Sequence, residues 1–200
     1  DEQEGQTFKG QIGSSILPVF ITVRDDPTAR KIETVELNGH YMFDDQAVPA
    51  RNVVLVEDGV LKTFLTSRTP LEEVGSSNGH GRARGTRQPV ARMGNLIVES
   101  GKVVSRKALK AMLITEAKKQ GKPYGLIISD ITGGSTNTSN YGYQAFKGTP
   151  RMVYRVDAST GEETLVRGVE MVGTPLTAIN KLVAAGDDVG VFNGYCGAES

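Results

Sequence analysis

The residue best suited to a chemical role is Cys196, the only cysteine of this 200-residue chain. It lies between glycines in the closing stretch GVFNGYCGAES. A lone cysteine is most often a small buried apolar side chain. As a thiolate it acts as a nucleophile when a histidine lies within hydrogen-bond reach, or as a zinc ligand when two or three other donors complete the site. The only histidines are His40 and His80, far from Cys196 in sequence, so spacing alone leaves all three interpretations open.

A second stretch that could do chemistry is EEVGSSNGHGRARGTRQPVARMGN, residues 72–95, which has scarcely any apolar side chain. It contains His80, Arg82 and Arg92 and ends at Asn95. Arginines bind carboxylate or phosphate through paired N–H groups, whereas many long polar connections are simply solvated. The glycine spacing matches neither GxGxxG nor GxxxxGK[ST]. The stretch is therefore a candidate substrate-contacting loop with little support for nucleotide binding.

A third candidate is SDITGGSTNTSNYGYQ, where Gly133, Gly134 and Ser135 follow an apolar run that ends at Asp130. We predict a glycine turn there, which exposes backbone N–H and C=O groups. Such groups can pair with an extended peptide. The alternative is an ordinary turn without a ligand.

Strands must supply most of the framework that positions these residues. Many short runs rich in Val, Ile, Thr and Tyr, together with 24 glycines, predict strands joined by tight turns. Asp58-Gly59 between two such runs predicts a two-residue type I′ hairpin, and RMVYRVDASTGEETLVRG predicts a second hairpin. ILPVFITV predicts a strand through Val23 that is broken at Asp25-Asp26-Pro27. The apolar runs in YGLIISD and DDVGVFN predict two buried strands.

Two helices are predicted among these strands. Leu109, Met112 and Leu113 recur at helical spacing after Ser105, a good N-cap, and the pattern stops before Gly121. A shorter helix is predicted from Thr174-Pro175 to near residue 186. The predicted fold class is α+β: predominantly antiparallel β, as a twisted sheet, barrel or sandwich, with one long and one short helix.

Bulk properties exclude several classes of function. The 23 basic and 23 acidic side chains cancel, so no net field attracts nucleic acid or an anionic membrane. No apolar run approaches the roughly 20 residues of a membrane-spanning helix. One cysteine cannot form an internal disulfide. The polar, glycine-rich residues 1–14 are typical of a linker or domain junction, so we expect residues 1–200 to be a single domain of a larger protein.

Six stretches, in order, resemble the C-terminal half of the TldD/PmbA family, metallopeptidases also described as modulators of DNA gyrase. They read DDPT, FDDQAVPA with the VEDGVL hairpin, QPVARMGN, ITGGST, LVRGVEMVG and GYCGAES. The chain departs from the family pattern at Gly94, where a threonine is usual, and at Ser135, where TldD-like members have a third glycine. These departures leave the substrate open.

The resemblance implies a role for Cys196 as the third protein ligand of a catalytic zinc. In TldD-like members the first two ligands are histidines of an HExxxH motif in the N-terminal half. Neither His40 nor His80 belongs to such a motif, so the N-terminal metal-binding domain is absent from this chain. On this hypothesis the chain alone is inactive and lines part of a peptide cleft with His80, Arg82, Arg92, Asn95 and the 133–135 loop.

The resemblance also implies partners and a compartment. We expect a homodimer, or a heterodimer with a related subunit, and cytoplasmic residence with export to the periplasm as the alternative. A second hypothesis is a noncatalytic subunit of the PmbA (TldE) type, which would have no need of a thiol at Cys196. A third is a cysteine hydrolase that uses Cys196 with His80.

Overall fold

A computed structural model describes residues 8–69, 71, 74–137 and 145–194. These residues form two compact units, which are described separately. The first unit comprises the described residues of 9–101 and 188–194, and the second comprises Phe8 and the described residues of 102–187. Among the described residues, no helix is long and apolar enough to cross a membrane.

The first unit is built on an open four-stranded antiparallel sheet with the strand order β5-β4-β1-β8. Two smaller antiparallel pairs, β2 with β3 and β6 with β7, carry the polar loops. The strands are β1 (Ile21–Asp25), β2 (Lys31–Ile32), β3 (Val35–Glu36), β4 (Val53–Glu57), β5 (Val60–Leu61), β6 (Gly81–Arg82), β7 (Val90–Ala91) and β8 (Leu96–Ser100).

The core of the first unit lies on one face of this sheet. Ile21, Val53, Val56 and Leu61 are each at most 8% exposed, and burying such side chains is the main favourable contribution to folding. The β4–β5 connection is the predicted hairpin. Asp58 and Gly59 have φ of 49° and 78°, which is the left-handed conformation that a type I′ turn requires.

The second unit contains a four-stranded antiparallel sheet in which β11 pairs with β10, β12 and β13. A separate parallel pair joins β9 and β14. The elements are β9 (Val103–Val104), α1 (Arg106–Lys119), β10 (Tyr124–Asn137), β11 (Ala145–Asp157), β12 (Glu163–Val166), β13 (Met171–Gly173), α2 (Pro175–Ile179) and β14 (Ala185–Gly186).

Helix α1 packs on β10, and its sequence sets its limits. The Ser105 side chain accepts a hydrogen bond from Ala108 N, which satisfies one free N–H of the first turn. Gly121, with φ of 66°, ends the helix. A Cβ on Gly125 would lie 2.6 Å from Leu113 Cγ, so this glycine lets the helix approach the strand closely. Val156 is fully buried.

The fold class and both hairpins are confirmed, and four local predictions are wrong. The YGLIISD run is a strand within β10 but none of its residues is buried, because β10 is an edge strand of an open sheet; Tyr124 and Leu126 are 45% and 39% exposed. Residues 187–193 form no strand and are mostly exposed, because β14 ends at Gly186. Gly133 and Gly134 lie within β10 and not in a turn, since β10 continues to Asn137 and both glycines pair with β11, after three register shifts between Ile128 and Gly133. Helix α2 ends at Ile179, short of the predicted residue 186. Among the described residues each sheet is open.

Candidate functional site

A buried ion-pair partnership joins the end of β1 to the start of β6. Asp25, the last residue of β1, and His80, immediately before β6, both have no exposed side-chain surface. His80 Nε2 lies 3.1 Å from Asp25 Oδ1, which also accepts from Gly94 N at 3.0 Å. Asp25 Oδ2 is buried and has no hydrogen-bond partner among the described residues. Burying an ionisable side chain is costly unless a polar partner lies beside it. The Asp25–His80 contact therefore fixes the two loops that carry these residues.

The other nitrogen of His80 also faces oxygen acceptors. Nδ1 lies 3.2 Å from Asn78 O and 3.1 Å from Asn78 Oδ1. The orientation of the Asn78 amide is fixed because Oδ1 accepts from Thr66 N while Nδ2 donates to Phe64 O. Nδ1 therefore carries a proton.

The turn that follows β1 is held by Asn95, the residue immediately before β8. Its Nδ2 donates to Asp26 O at 3.1 Å and to Ala29 O at 3.0 Å, and its Oδ1 accepts from Gly39 N at 3.0 Å. Asn95 is 8% exposed. All of these bonds go to backbone groups, so Asn95 fixes the conformation of the turn and its side chain is occupied by the protein itself.

The carbonyl of Pro27 holds the segment that carries His40 and Tyr41. It accepts from His40 Nδ1 at 2.9 Å and from Tyr41 N at 3.0 Å. A carbonyl only accepts, so the proton of a neutral His40 ring lies on Nδ1. Tyr41 in turn donates its hydroxyl to Gly79 O at 2.9 Å, which links this segment to the loop before His80.

Tyr41 lies between a cation and the buried pair. The Arg82 guanidinium is 4.3 Å from the Tyr41 ring centroid, and the His80 ring meets Tyr41 edge-on with centroids 6.4 Å apart. Burial raises the pKa of the Tyr41 hydroxyl to about 12; the carboxylates of Asp25 and Asp44 add to the rise and Arg82 opposes it. Arg82 Nε also lies 3.5 Å from Asp45 Oδ2.

Gly94 explains one departure from the family pattern. A Cβ at this position would lie 2.9 Å from Pro27 Cβ and 3.1 Å from Asp25 Oδ1, closer than side-chain atoms normally approach. The carbonyl of Gly94 also lies against Gly39: a Cβ added to Gly39 would be 2.0 Å from Gly94 O. A threonine at position 94 would require the turn after β1 to move. The DDPT turn can therefore adopt its present position only because residue 94 is glycine.

The last described segment is anchored to the β2–β3 hairpin. Asn193 Oδ1 accepts from Asn38 N at 3.1 Å, and Asn193 Nδ2 donates to Glu36 O at 2.8 Å. Sequence reasoning missed Asn193, although its position three residues before Cys196 was a signal. Cys196 itself lies outside the described residues.

The structure brings together only some of the residues predicted to bind substrate. His80 and Asn95 both contact the end of β1 or the turn after it. Arg82 lies over the Tyr41 ring, and the backbone N–H of Arg92 donates to His80 O at 3.0 Å. His80 has no exposed surface, so any role toward a ligand passes through the residues it holds. Gly133, Gly134 and Ser135 belong to the second unit. From the sequence, Asp25 was predicted only as part of a turn, and Tyr41 was assigned no role.

No metal site forms within the described parts of the chain. Nowhere in residues 8–69, 71, 74–137 and 145–194 do three or more His, Cys, Asp or Glu side chains gather as a metal site would require. His80 and Asp25 are engaged with each other, and His40 is held by Pro27. These residues do not fit a zinc site by themselves.

Comparison with known proteins agrees with this arrangement of motifs. The family model described as "PmbA/TldA metallopeptidase C-terminal domain" matches residues 2–198. This match defines the class of protein as a metallopeptidase C-terminal domain. The chain belongs to the PmbA/TldD family.

Two curated relatives carry metalloprotease names. A "Metalloprotease" of Archaeoglobus fulgidus is 29% identical over 196 residues, covering 98% of this chain and 41% of the relative. A "Zinc metalloprotease TldD homolog" of Saccharolobus solfataricus is 26% identical over 156 residues, covering 77% of this chain and 32% of the relative. The chain therefore spans about two fifths or less of the length of these relatives.

Solved structures share the fold. A Thermotoga maritima protein titled a modulator of a DNA gyrase has a TM-score of 0.67 and 25% identity, covering 94% of this chain and 39% of that one. TldE from Thermococcus kodakarensis has a TM-score of 0.60 and 20% identity, covering 88% of this chain and 36% of that one. The second likeness concerns the fold alone.

Proposed function

We propose that this chain is the C-terminal domain of a zinc-dependent, TldD-like peptidase, to which it contributes the Cys196 thiolate and part of the peptide-binding cleft. The substrates on this proposal are peptides or unfolded polypeptides. The family match over residues 2–198 and the zinc metalloprotease name of the Saccharolobus relative support it. A zinc ion with three protein ligands and one open position polarises a carbonyl and activates water.

The observation that carries the proposal is the anchor at Asn193. Two hydrogen bonds fix this residue to the backbone of Glu36 and Asn38. In the sequence, Asn193 lies three residues before Cys196. On this proposal the segment after the anchor carries the thiol that binds an ion held by another domain.

The second unit supports the proposed cleft through the free edge of β10. Among the described residues β10 pairs only with β11, so its other edge is open. The exposed part of this strand, residues 131–136, includes Gly133, Gly134 and Ser135. An extended peptide can add to such an edge through main-chain hydrogen bonds. We propose this edge as the peptide-binding part of the second unit.

The alternative is a noncatalytic TldE-type subunit that assembles with a metal-bearing one. The likeness to the Thermococcus TldE structure favours it, because that fold is shared. The presence of Cys196 is the feature that separates the two functions, since a subunit without zinc needs no thiol in this segment. The partner on either function is a related subunit or a second copy, and no nucleic acid or membrane is involved.

The proposal is tested on the full-length protein that contains this chain. We expect about one zinc per polypeptide, and we expect Cys196→Ser to lose both the zinc and the peptidase activity. Zinc is measured by mass spectrometry of the metal content. Cobalt substitution gives a second readout, because a thiolate ligand adds a sulfur-to-cobalt charge-transfer band that Cys196→Ser removes.

Ala198→Ser is the matched control, since it introduces the same residue two positions away and should keep metal and activity. The isolated 200-residue chain should bind zinc weakly, because one fixed ligand leaves the rest of the coordination to water. Full zinc content in Cys196→Ser, or a tight stoichiometric site in the isolated chain, would contradict the proposal. A full-length protein that lacks zinc altogether would favour the TldE-type function.

A further inference from the structure

An unassigned groove lies in the first unit beside the turn that follows β1. It consists of two depressions of about 290 and 400 Å³ that share Arg30 and His40. These volumes are at the lower end for small-molecule sites, which suits one residue better than a long ligand. The remaining lining residues are Thr28, Tyr41, Met42 and Ala50 in the first depression, and Lys31, Glu36 and Leu37 in the second.

The cations of the groove are available to a ligand. Arg30 and Lys31 are exposed, and neither side chain has an ion-pair partner among the described residues. The backbone beneath them is fixed, because Arg30 O accepts from Leu37 N at 2.9 Å and Lys31 pairs with Glu36 across the β2–β3 ladder. A guanidinium on a fixed backbone presents paired N–H groups that match a carboxylate.

His40 is held with one nitrogen left for a ligand. Its Nδ1 donates to Pro27 O at 2.9 Å, so the ring cannot turn without breaking this bond. Nε2 has no hydrogen-bond partner among the described residues. Because His40 lines both depressions, its ring forms the shared wall between them.

The lining selects the class of ligand. Arg30, Lys31 and Glu36 sum to one positive charge, which a single carboxylate neutralises, and the planar guanidinium of Arg30 matches a carboxylate in shape. Met42 and Ala50 add an apolar surface beside Arg30, and Met42 is 67% exposed. A thioether adapts to apolar groups of different shapes. The ligand therefore carries one carboxylate next to a small or medium apolar group.

We propose that the Arg30–His40 groove binds the C-terminal residue of a peptide, with the carboxylate on Arg30 and the apolar side chain against Met42 and Ala50. That the ligand is a peptide rests on the proposed function. It is favoured because Glu36, which lines the groove, also holds Asn193 through its carbonyl. A free apolar amino acid also carries a carboxylate beside an apolar group, so the test compares a peptide with a free amino acid.

The test follows the methyl group of Met42 in the full-length protein labelled with ¹³C at methionine methyls. Met42→Leu identifies the resonance by its loss. N-acetyl-alanyl-leucine, its C-terminal amide and free leucine are titrated in turn. We expect the acid to shift the Met42 resonance saturably, and we expect the amide to give no saturable shift. Arg30→Gln should weaken binding of the acid about tenfold to a hundredfold, the effect of one charge-assisted hydrogen bond.

Arg167→Gln, at an exposed arginine of the second unit, is the matched control and should bind like the wild type. Equal shifts by acid and amide, or unchanged binding in Arg30→Gln, would overturn the carboxylate site. Tighter binding of free leucine than of the acetylated dipeptide would overturn the peptide assignment. The readout needs neither zinc nor hydrolysis, so Cys196→Ser should keep the Met42 shift, and failure here is distinguishable from failure of the zinc proposal.

Discussion

At the scale of single residues, the Asp25–His80 pair is the centre of the first unit. Asp25 joins three segments, because it ends β1, bonds the N–H of Gly94 and meets His80. The sequence predicted only a turn at Asp25-Asp26-Pro27. Its partner is 55 positions away, and no local pattern reports a contact over that separation. His80 was predicted from the sequence as a ligand-contacting residue, whereas the structure gives it a role inside the protein.

We expect Asp25→Asn to lower the free energy of unfolding by about 3–5 kcal/mol, because it removes the buried carboxylate that His80 Nε2 and Gly94 N contact. Urea denaturation of the purified protein measures this. Asp58→Asn is the matched control: this acid is exposed in a hairpin turn with φ of 49°, which asparagine tolerates, so the change should stay within about 0.5 kcal/mol. Equal stability of the two variants would contradict a structural role for the pair.

Tyr41 predicts a pH dependence of stability in the alkaline range. Burial raises the pKa of its hydroxyl in the folded state to about 12, against 10.0 for the ordinary value. Between pH 10 and pH 12 the Tyr41 hydroxyl loses its proton in the unfolded chain and keeps it in the folded chain. Its contribution to the free energy of unfolding is therefore fully present below pH 10 and is lost as pH rises toward 12. We expect Tyr41→Phe to reduce this slope, measured as unfolding free energy against pH.

The same variant loses the hydrogen bond to Gly79 O, so it should also be less stable at neutral pH by about 1 kcal/mol. Tyr124→Phe controls for removal of a phenol, because Tyr124 is 45% exposed and lies in the second unit. An unchanged alkaline slope in Tyr41→Phe would show that the Tyr41 hydroxyl does not carry the effect.

At the scale of elements, the features with local signals were predictable. Helix α1 has its N-cap, its apolar spacing and its terminal glycine within one stretch of sequence, and the β4–β5 hairpin depends on two adjacent residues. The apolar run at 187–193 misled the prediction because a strand needs a partner, which no short stretch reveals. Phe192 is 93% exposed. The 133–134 glycines were misread as a turn because β11 supplies the pairing that keeps them extended.

Those two glycines differ in what surrounds them within β10. A Cβ on Gly134 would lie 2.5 Å from Lys147 O, whereas a Cβ on Gly133 would have no atom within 4 Å. We expect Gly134→Ala to lower the unfolding free energy by about 1–3 kcal/mol, because backbone must shift. Gly133→Ala should be neutral or stabilising by less than about 1 kcal/mol, since it restricts the unfolded chain.

Thermal or urea denaturation of the two alanine variants makes this comparison directly, and each variant serves as the control for the other. Equal destabilisation would mean that β10 and β11 do not keep their register at these residues. Greater damage from Gly133→Ala would contradict the packing of β10 altogether.

At the scale of the whole molecule, the order of six motifs predicted the family, and the pattern of apolar runs, turns and helix signals predicted the fold class. The division into two units was not predicted, because no shift in composition marks residues 101 or 188 and the first unit is assembled from both sides of the second. The same holds for Asn193, which reaches back more than 150 positions to hold the β2–β3 hairpin. Such contacts depend on the complete chain path.

The parallel pair β9–β14 has a consequence for how the chain can be rearranged. Val103 lies beside Ala185, and Ala185 N donates to Lys102 O at 3.0 Å. Residues 103 and 185 therefore lie about 5 Å apart, the spacing of neighbouring strands. The two ends of the segment between these residues are adjacent. A short loop can therefore join them if the segment is deleted, and another domain with adjacent termini can be inserted in its place.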